Sequence, residues 1–184
     1  MRRPAMGLLV LMLASTPLGA QEAKKGGPGH TPAEMNRQFT NPNLDVGSFV
    51  KRFENDQRDI YAKRQEIIAA IGLRPGQAVA DIGAGSGLFC WLFAEQVGPT
   101  GKVYAVDIAP AFLKYIDEQA KTRGVASIVK TVRGGADSPN LPADSIDVAF
   151  LCDAYHHFEH PERMLGSIHQ ALRPHIAEMF FTRI

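Results

Sequence analysis

Val79-Ala80-Asp81-Ile82-Gly83-Ala84-Gly85-Ser86-Gly87-Leu88-Phe89 decides the fold. Its first half is short and apolar, as a buried strand is. Three glycines then stand at alternate positions, and an apolar run with helical spacing follows. Strand, glycine-rich turn and helix start, in that order, hold a nucleotide-like ligand at the carboxyl end of a strand in an α/β sheet. An acid, Asp81, lies two places before the first glycine.

On the carboxyl side, helices and strands alternate. Residues 88–97 read as a helix broken by Gly98-Pro99-Thr100-Gly101, and residues 102–107 as a strand. A helix over 109–123 closes at Gly124, and a strand over 127–132 leads into a polar loop. Residues 146–152 are almost continuously apolar, as a strand covered on both faces is. Pro161 suits the first position of a helix over 161–172. On the amino side, Ile60, Ile67, Ile68 and Ile71 recur at helical spacing before Gly72, and Arg74-Pro75-Gly76 turns into a strand over 77–82. Phe53 and Tyr61 are expected in the core, with closure over a bound cofactor as the alternative. The alternation predicts a Rossmann-like α/β fold: a doubly wound parallel sheet in three α/β/α layers.

Composition narrows the function. Of 184 residues, 45% are hydrophobic and 21% charged, and the net charge of +1 comes without a dense Lys/Arg run. That excludes a basic nucleic-acid surface. Cys90 and Cys152 are too few for a disulfide framework or a zinc site. Whether they pair with each other is left open by the sequence. Arg2 and Arg3, an apolar run over 6–14 too short to span a bilayer, and Thr16-Pro17-Leu18-Gly19-Ala20 together read as a signal peptide over residues 1–20. The expectation is export to a periplasm or the medium, with no stable membrane anchor. If the segment is not cleaved, a cytoplasmic or membrane-tethered protein is expected. Residues 21–47, with Gly26-Gly27-Pro28-Gly29, Pro32 and Pro42, read as a flexible linker, and 48–184 as the folded domain.

The glycine spacing selects among ligands. A dinucleotide fingerprint G-x-G-x-x-G needs its third glycine at 88, which is Leu88. Asp81 would repel a pyrophosphate and attract an ammonium or sulfonium. S-adenosylmethionine therefore fits better than NAD.

Asp81-Ile82-Gly83-Ala84-Gly85-Ser86-Gly87 resembles the first motif of class I S-adenosylmethionine-dependent methyltransferases, and residues 144–158 resemble the fourth motif of their small-molecule, quinone-biosynthesis-like branch. Val103-Tyr104-Ala105-Val106-Asp107 resembles the second motif. Gly135-Ala136-Asp137 resembles a third segment, and residues 144–158 with Pro161-Glu162-Arg163 and Ala171-Leu172-Arg173-Pro174 resemble the later ones. The resemblance implies that Asp81, Gly83, Ala84, Gly85 and Gly87 hold the methionine part of S-adenosylmethionine, the methyl donor. It implies that Asp107 takes both ribose hydroxyls, that Ile108 packs on adenine, and that Ala136 and Asp137 meet the adenine edge. Asp153 would line the site near the methyl. His156 or His157 would serve as a general base if the acceptor needs deprotonating. Asp153, His156, His157 and His160 are also metal-ligand residue types, but a post-strand loop of neutral histidines is expected to hold no metal. The partner implied is a small-molecule acceptor.

Beyond Pro174 the sequence departs from the family. The family's glycine turn is absent, residues 176–184 suffice for one short strand, and nothing supplies the last two strands. The domain is therefore expected to be C-terminally incomplete, with an open sheet edge inviting self-association. Two other readings compete with an active methyltransferase. One is a non-catalytic truncated remnant that at most binds S-adenosylmethionine or S-adenosylhomocysteine. The other is a nicotinamide-nucleotide-binding Rossmann protein.

Overall fold

The computed structural model describes residues 9–12, 31–174 and 178–182. Six parallel strands form one sheet: β1 (Leu9–Met12), β2 (Ala78–Ile82), β3 (Lys102–Asp107), β4 (Val129–Arg133), β5 (Val148–Cys152) and β6 (Glu178–Thr182). Their order is β1-β6-β5-β2-β3-β4. The helices are α1 (Pro32–Asn36), α2 (Val46–Phe53), α3 (Asp59–Ala62), α4 (Arg64–Ile71), α5 (Leu88–Val97), α6 (Pro110–Thr122) and α7 (Pro161–Ala171), with a 3-10 turn at Tyr155–His157. The expected doubly wound α/β architecture is present, and the strand and helix boundaries lie within two residues of the sequence reading.

The layers follow from alternation along the strands. Val79, Val103, Ala105, Val148 and Phe150 face a core shared with α4, α5 and α6. Ala80, Ile82, Val106, Ala149 and Leu151 face the opposite core, with Met164, Ile168 and Ala171 of α7. All five residues of β2 are buried, because both faces are covered.

Three expectations change. The helix read across 60–71 is two helices that meet at Lys63, and Gly72 caps the second with φ 64°. In the stretch read as a linker, residues 31–47 carry structure. Thr31 and Glu34 make a reciprocal capping box for α1, and Asp45 caps α2 through Ser48. Third, the outer edge of β6 is not open. Leu9–Met12 pairs with it in parallel, Leu9 opposite Glu178 and Met12 opposite Phe181. An apolar run supplies an edge strand as readily as a signal-peptide core. The sheet edges are therefore β1 and β4, and the remaining residues of 1–20, like 21–30, lie outside those described.

Asp147 ties the base of the sheet together. Its Oδ2 accepts from Ala78 N (2.7 Å) at the start of β2, and Arg173 Nη1 lies 2.9 Å from both carboxylate oxygens. Asp147→Ala leaves a buried N–H without an acceptor and is expected to cost about 1–3 kcal/mol. Urea unfolding should show a lower midpoint at unchanged slope, with Asp147→Asn recovering part of the loss.

Candidate functional site

The chain runs from β2 outward to β3 and β4, then returns to place β5 on the other side of β2. The loops after β2 and β5 part at this reversal, and a cavity of about 870 Å³ opens between them. The glycine loop, the ends of β3 and β5, and residues of the 35–58 segment line it.

Backbone bonds fix the glycine loop. Gly83 N and Ala84 N both donate to Val106 O, at 2.8 and 3.0 Å, and Gly87 N donates to Ala84 O at 2.8 Å. A Cβ on Gly83, whose φ is +82°, would stand 2.7 Å from the Ala154 Cβ. One on Gly87, at φ +78°, would reach 2.9 Å from the Trp91 ring. These glycines are demanded by the chain's own packing as well as by their positive φ. The space beside Gly85 is likewise taken, by the Phe53 ring at 3.3 Å from a built Cβ.

Two acids stand at the ends of adjacent strands. Asp81 is the next-to-last residue of β2, is 2% exposed, and lines the cavity. Burial lifts its carboxyl to about 7, the Cys90 thiol works against that rise by donating to Oδ2 at 3.4 Å, and the Asp107 charge adds to it. Asp107 ends β3. Its Oδ2 accepts from Gly85 N and its Oδ1 from Ala109 N, each at 2.8 Å. Burial raises its pKa, and the backbone donors at Ala109, Gly85 and Ile108 oppose that. A carboxylate has about four lone-pair sites. Asp107 thus keeps acceptor capacity for a vicinal diol while bracing the loop. A buried acid near neutrality beside a second acid with spare lone pairs fits a ligand carrying a cation and a pair of hydroxyls.

The β5 loop forms the opposite wall. Asp153 has φ +53°, and its carboxylate pairs with Arg58 Nη2 at 3.0 Å. His156 Nδ1 is 3.7 Å from the other Asp153 oxygen. His157 Nδ1 lies 3.1 Å from Asn36 Oδ1, and its ring meets Phe39 edge-on at 5.3 Å. Burial lowers the His157 pKa, His156 lowers it further, and Asp153 pulls the other way.

The cavity gathers Asp81, Gly83, Ala84, Gly85, Asp107, Ile108, Ala136, Asp153, His156 and His157. Gly87 lies behind the loop, at the start of α5. Asp137 departs from expectation: it is outside the lining and faces Arg163 at 3.6 Å. Nearby, Asn140 Nδ2 donates to Arg133 O, and Gly135 N donates to Ser138 O. Among the described residues no cluster of three or more His, Cys, Asp or Glu could hold a metal. Both cysteines are free.

Sequence reasoning missed the roof. Asn36, Phe39, Arg52, Phe53 and Arg58 come from the segment before α3 and line the cavity. Phe53, expected in the core, joins Phe39, Phe49 and Phe112 in a ring cluster with centroids 5.5–6.2 Å apart. The available signal was three phenylalanines and a capping box, Thr31 to Glu34, in a stretch otherwise rich in Asn and Pro.

Residues 80–175 match the family model of a methyltransferase domain. A ubiquinone/menaquinone biosynthesis C-methyltransferase, UbiE, of Ectopseudomonas mendocina is 35% identical over 103 residues, which is 56% of this chain and 40% of that protein. The chain thus spans about two fifths of the length of that curated relative. An S-adenosylmethionine-dependent methyltransferase from Aquifex aeolicus superposes with a TM-score of 0.63 at 24% identity, covering 71% of this chain and 68% of that one. One from Geobacter sulfurreducens, in complex with S-adenosyl-L-homocysteine, superposes with a TM-score of 0.54 at 23% identity, covering 70% and 51%.

The raised Asp81 pKa has a thermodynamic signature. Below the ordinary carboxylate value of 3.8, the group is protonated in both folded and unfolded chains. Between 3.8 and about 7, unfolding releases its proton, so the folded state loses stability as pH rises. Above about 7 the loss is complete. Ligand-free Asp81→Asn should therefore gain thermal stability relative to wild type as pH goes from about 4 to about 8. Parallel melting curves at constant ionic strength check this. A constant difference across that range contradicts it.

Proposed function

Because the chain belongs to the methyltransferase-domain family, we propose that it binds S-adenosylmethionine between the ends of β2 and β5 and transfers its methyl group to a small-molecule acceptor. The observation that carries this reading is the pair of buried acids, Asp81 and Asp107, bordering one cavity at the reversal of strand order. Asp81 would orient the amino group of the methionine part, directly or through water, and an adjacent cation would return it to its ionised form. Asp107 would take the ribose hydroxyls on the lone pairs that Gly85 and Ala109 leave free. Ile108 and Ala136 would flank the adenine.

S-adenosylmethionine supplies an electrophilic methyl on a sulfonium. The protein's part is to hold the acceptor in line with it and exclude water. Phe39, Phe53, Phe112 and Phe158 give the cavity an aromatic surface, beside polar groups that include Arg52 and Arg58. That surface suits a flat apolar acceptor, which agrees with relatives named for ubiquinone and menaquinone biosynthesis. Export belongs to the same proposal: cleavage near residue 20 would remove β1 and leave β6 as the outer strand of the sheet, and N-terminal sequencing of the protein recovered from cells should begin near residue 21. A sequence beginning at Met1 or Arg2 overturns it.

Calorimetric titration with S-adenosylhomocysteine tests the ligand. Wild type should bind it at pH 8, and Asp81→Asn should bind about tenfold or more weakly, the scale of one lost hydrogen bond to a charged group. A nicotinamide-nucleotide protein would instead bind NAD, with Asp81→Asn unchanged or improved.

A further inference from the structure

The roof of the cavity reaches the two histidines through one residue. Asn36 is 6% exposed, in the last turn of α1. Its Nδ2 donates to His157 O at 2.9 Å and to Glu159 Oε1 at 3.2 Å. Both partners are acceptors only, a carbonyl and a carboxylate, so the amide nitrogen must occupy that side. The amide oxygen must then be the atom 3.1 Å from His157 Nδ1. An amide oxygen cannot donate, so Nδ1 carries the hydrogen. In the neutral ring the lone pair then sits on Nε2, for which no partner is present among the described residues.

His156 lacks this arrangement. Its Nδ1 is 3.7 Å from Asp153 Oδ1, beyond hydrogen-bond distance, and its side chain is 47% exposed. Asp153 is itself held by Arg58 at 3.0 Å. The charged and titratable groups around His157 are therefore His156 stacked at 4.2 Å, Asp153 neutralised by Arg58, and Glu159 on the far side of Asn36. Phe39 packs edge-on against the ring.

Resting on the proposed methyl transfer, we infer that His157, rather than His156, is the proton acceptor of this site, that Asn36 is the positioning residue that fixes its tautomer, and that the acceptor substrate gives up an O–H or acidic C–H proton on methylation. In the balanced step, the acceptor's O–H or C–H bond breaks and its proton goes to Nε2. The electron pair left on oxygen or carbon forms the bond to the methyl carbon. The carbon–sulfur bond breaks with its pair staying on sulfur, so the positive charge leaves the sulfonium and appears on the imidazolium. The imidazolium then loses its proton to water.

The test is long-range ¹H–¹⁵N correlation on the full chain with ¹⁵N-labelled histidine, with His156 and His157 assigned by His→Gln variants. Between pH 7 and 8, His157 should show a protonated Nδ1 and a bare Nε2, and its titration midpoint should lie below the ordinary histidine value. Asn36→Leu should convert it to the mixed tautomers of a free imidazole, and Asn36→Asp, which keeps an acceptor at Nδ1, should keep the tautomer and shift the midpoint upward. Phenol, a flat probe with a weakly acidic O–H, should shift the His157 Nε2 resonance on titration and leave His156 in place. A hydrogen on Nε2 in the wild-type protein overturns the inference whether or not the variants fold. An Nε2 resonance unmoved by phenol overturns the acceptor class. S-adenosylhomocysteine binding is measured separately, so failure of the methyltransferase reading is distinguishable from failure of the histidine assignment.

Discussion

The Asp107 carboxylate holds the site together. One oxygen takes the Gly85 N–H in the loop after β2, and the other takes the Ala109 N–H at the entry to α6. Each bond is 2.8 Å, and charge-assisted bonds of this kind are about twice as strong as neutral ones. Without them the glycine loop would keep its bonds to Val106 O and the Gly87 to Ala84 bond within it, and would lose its tie to the Asp107 side chain and, through it, to the start of α6. A carboxylate this buried resists ionisation, and its backbone donors are what oppose that tendency. The same residue that would recognise a ligand is therefore also a structural brace, which is why removing it is a poor test of binding and Asp81 is the better one.

The second constraint is the roof. A parallel sheet covered on both faces leaves ligand contact to the loops at its carboxyl end. Here those loops do not close the cavity alone. Residues 31–58 do so, held by Asn36 to His157, Arg58 to Asp153, and the phenylalanine cluster on Phe112. Two polar latches and one aromatic seam join the roof to the β5 loop and α6. A segment so fastened covers the cavity and, through Asn36, holds the orientation of His157.

The elements of the sheet were legible because strand and helix periods are local. Asp81, Asp107 and the glycines were legible because their meaning depends on position relative to a strand end. The roof was not, because its contacts join residues far apart in the chain, 123 positions from Asn36 to Glu159 and 95 from Arg58 to Asp153. Asn36 has no pattern around it that distinguishes it from Asn41 or Asn43. The contact from Cys90 to Asp81 was not legible either, since only the turn of α5 brings the thiol to that carboxylate. Asp137 was legible as a motif position, and its pairing with Arg163 was not. The strand at Leu9–Met12 belongs with these, since parallel pairing with β6 carries no mark in an apolar run.

Asp81 couples these features. Its ionised form is disfavoured by burial, and among the described residues it has only a weak thiol donor, so the ligand-free site is held at a cost in stability near neutral pH. A ligand that brings a cation beside it removes that cost and adds an attraction in the same step. Binding and folding are then linked through one carboxyl: a ligand that favours the folded chain stabilises it in proportion to the logarithm of its concentration over its dissociation constant. The roof adds to the linkage, since the latches to His157 and Asp153 stand over the same cavity. The ligand-free stability near neutral pH therefore understates what the filled fold can hold.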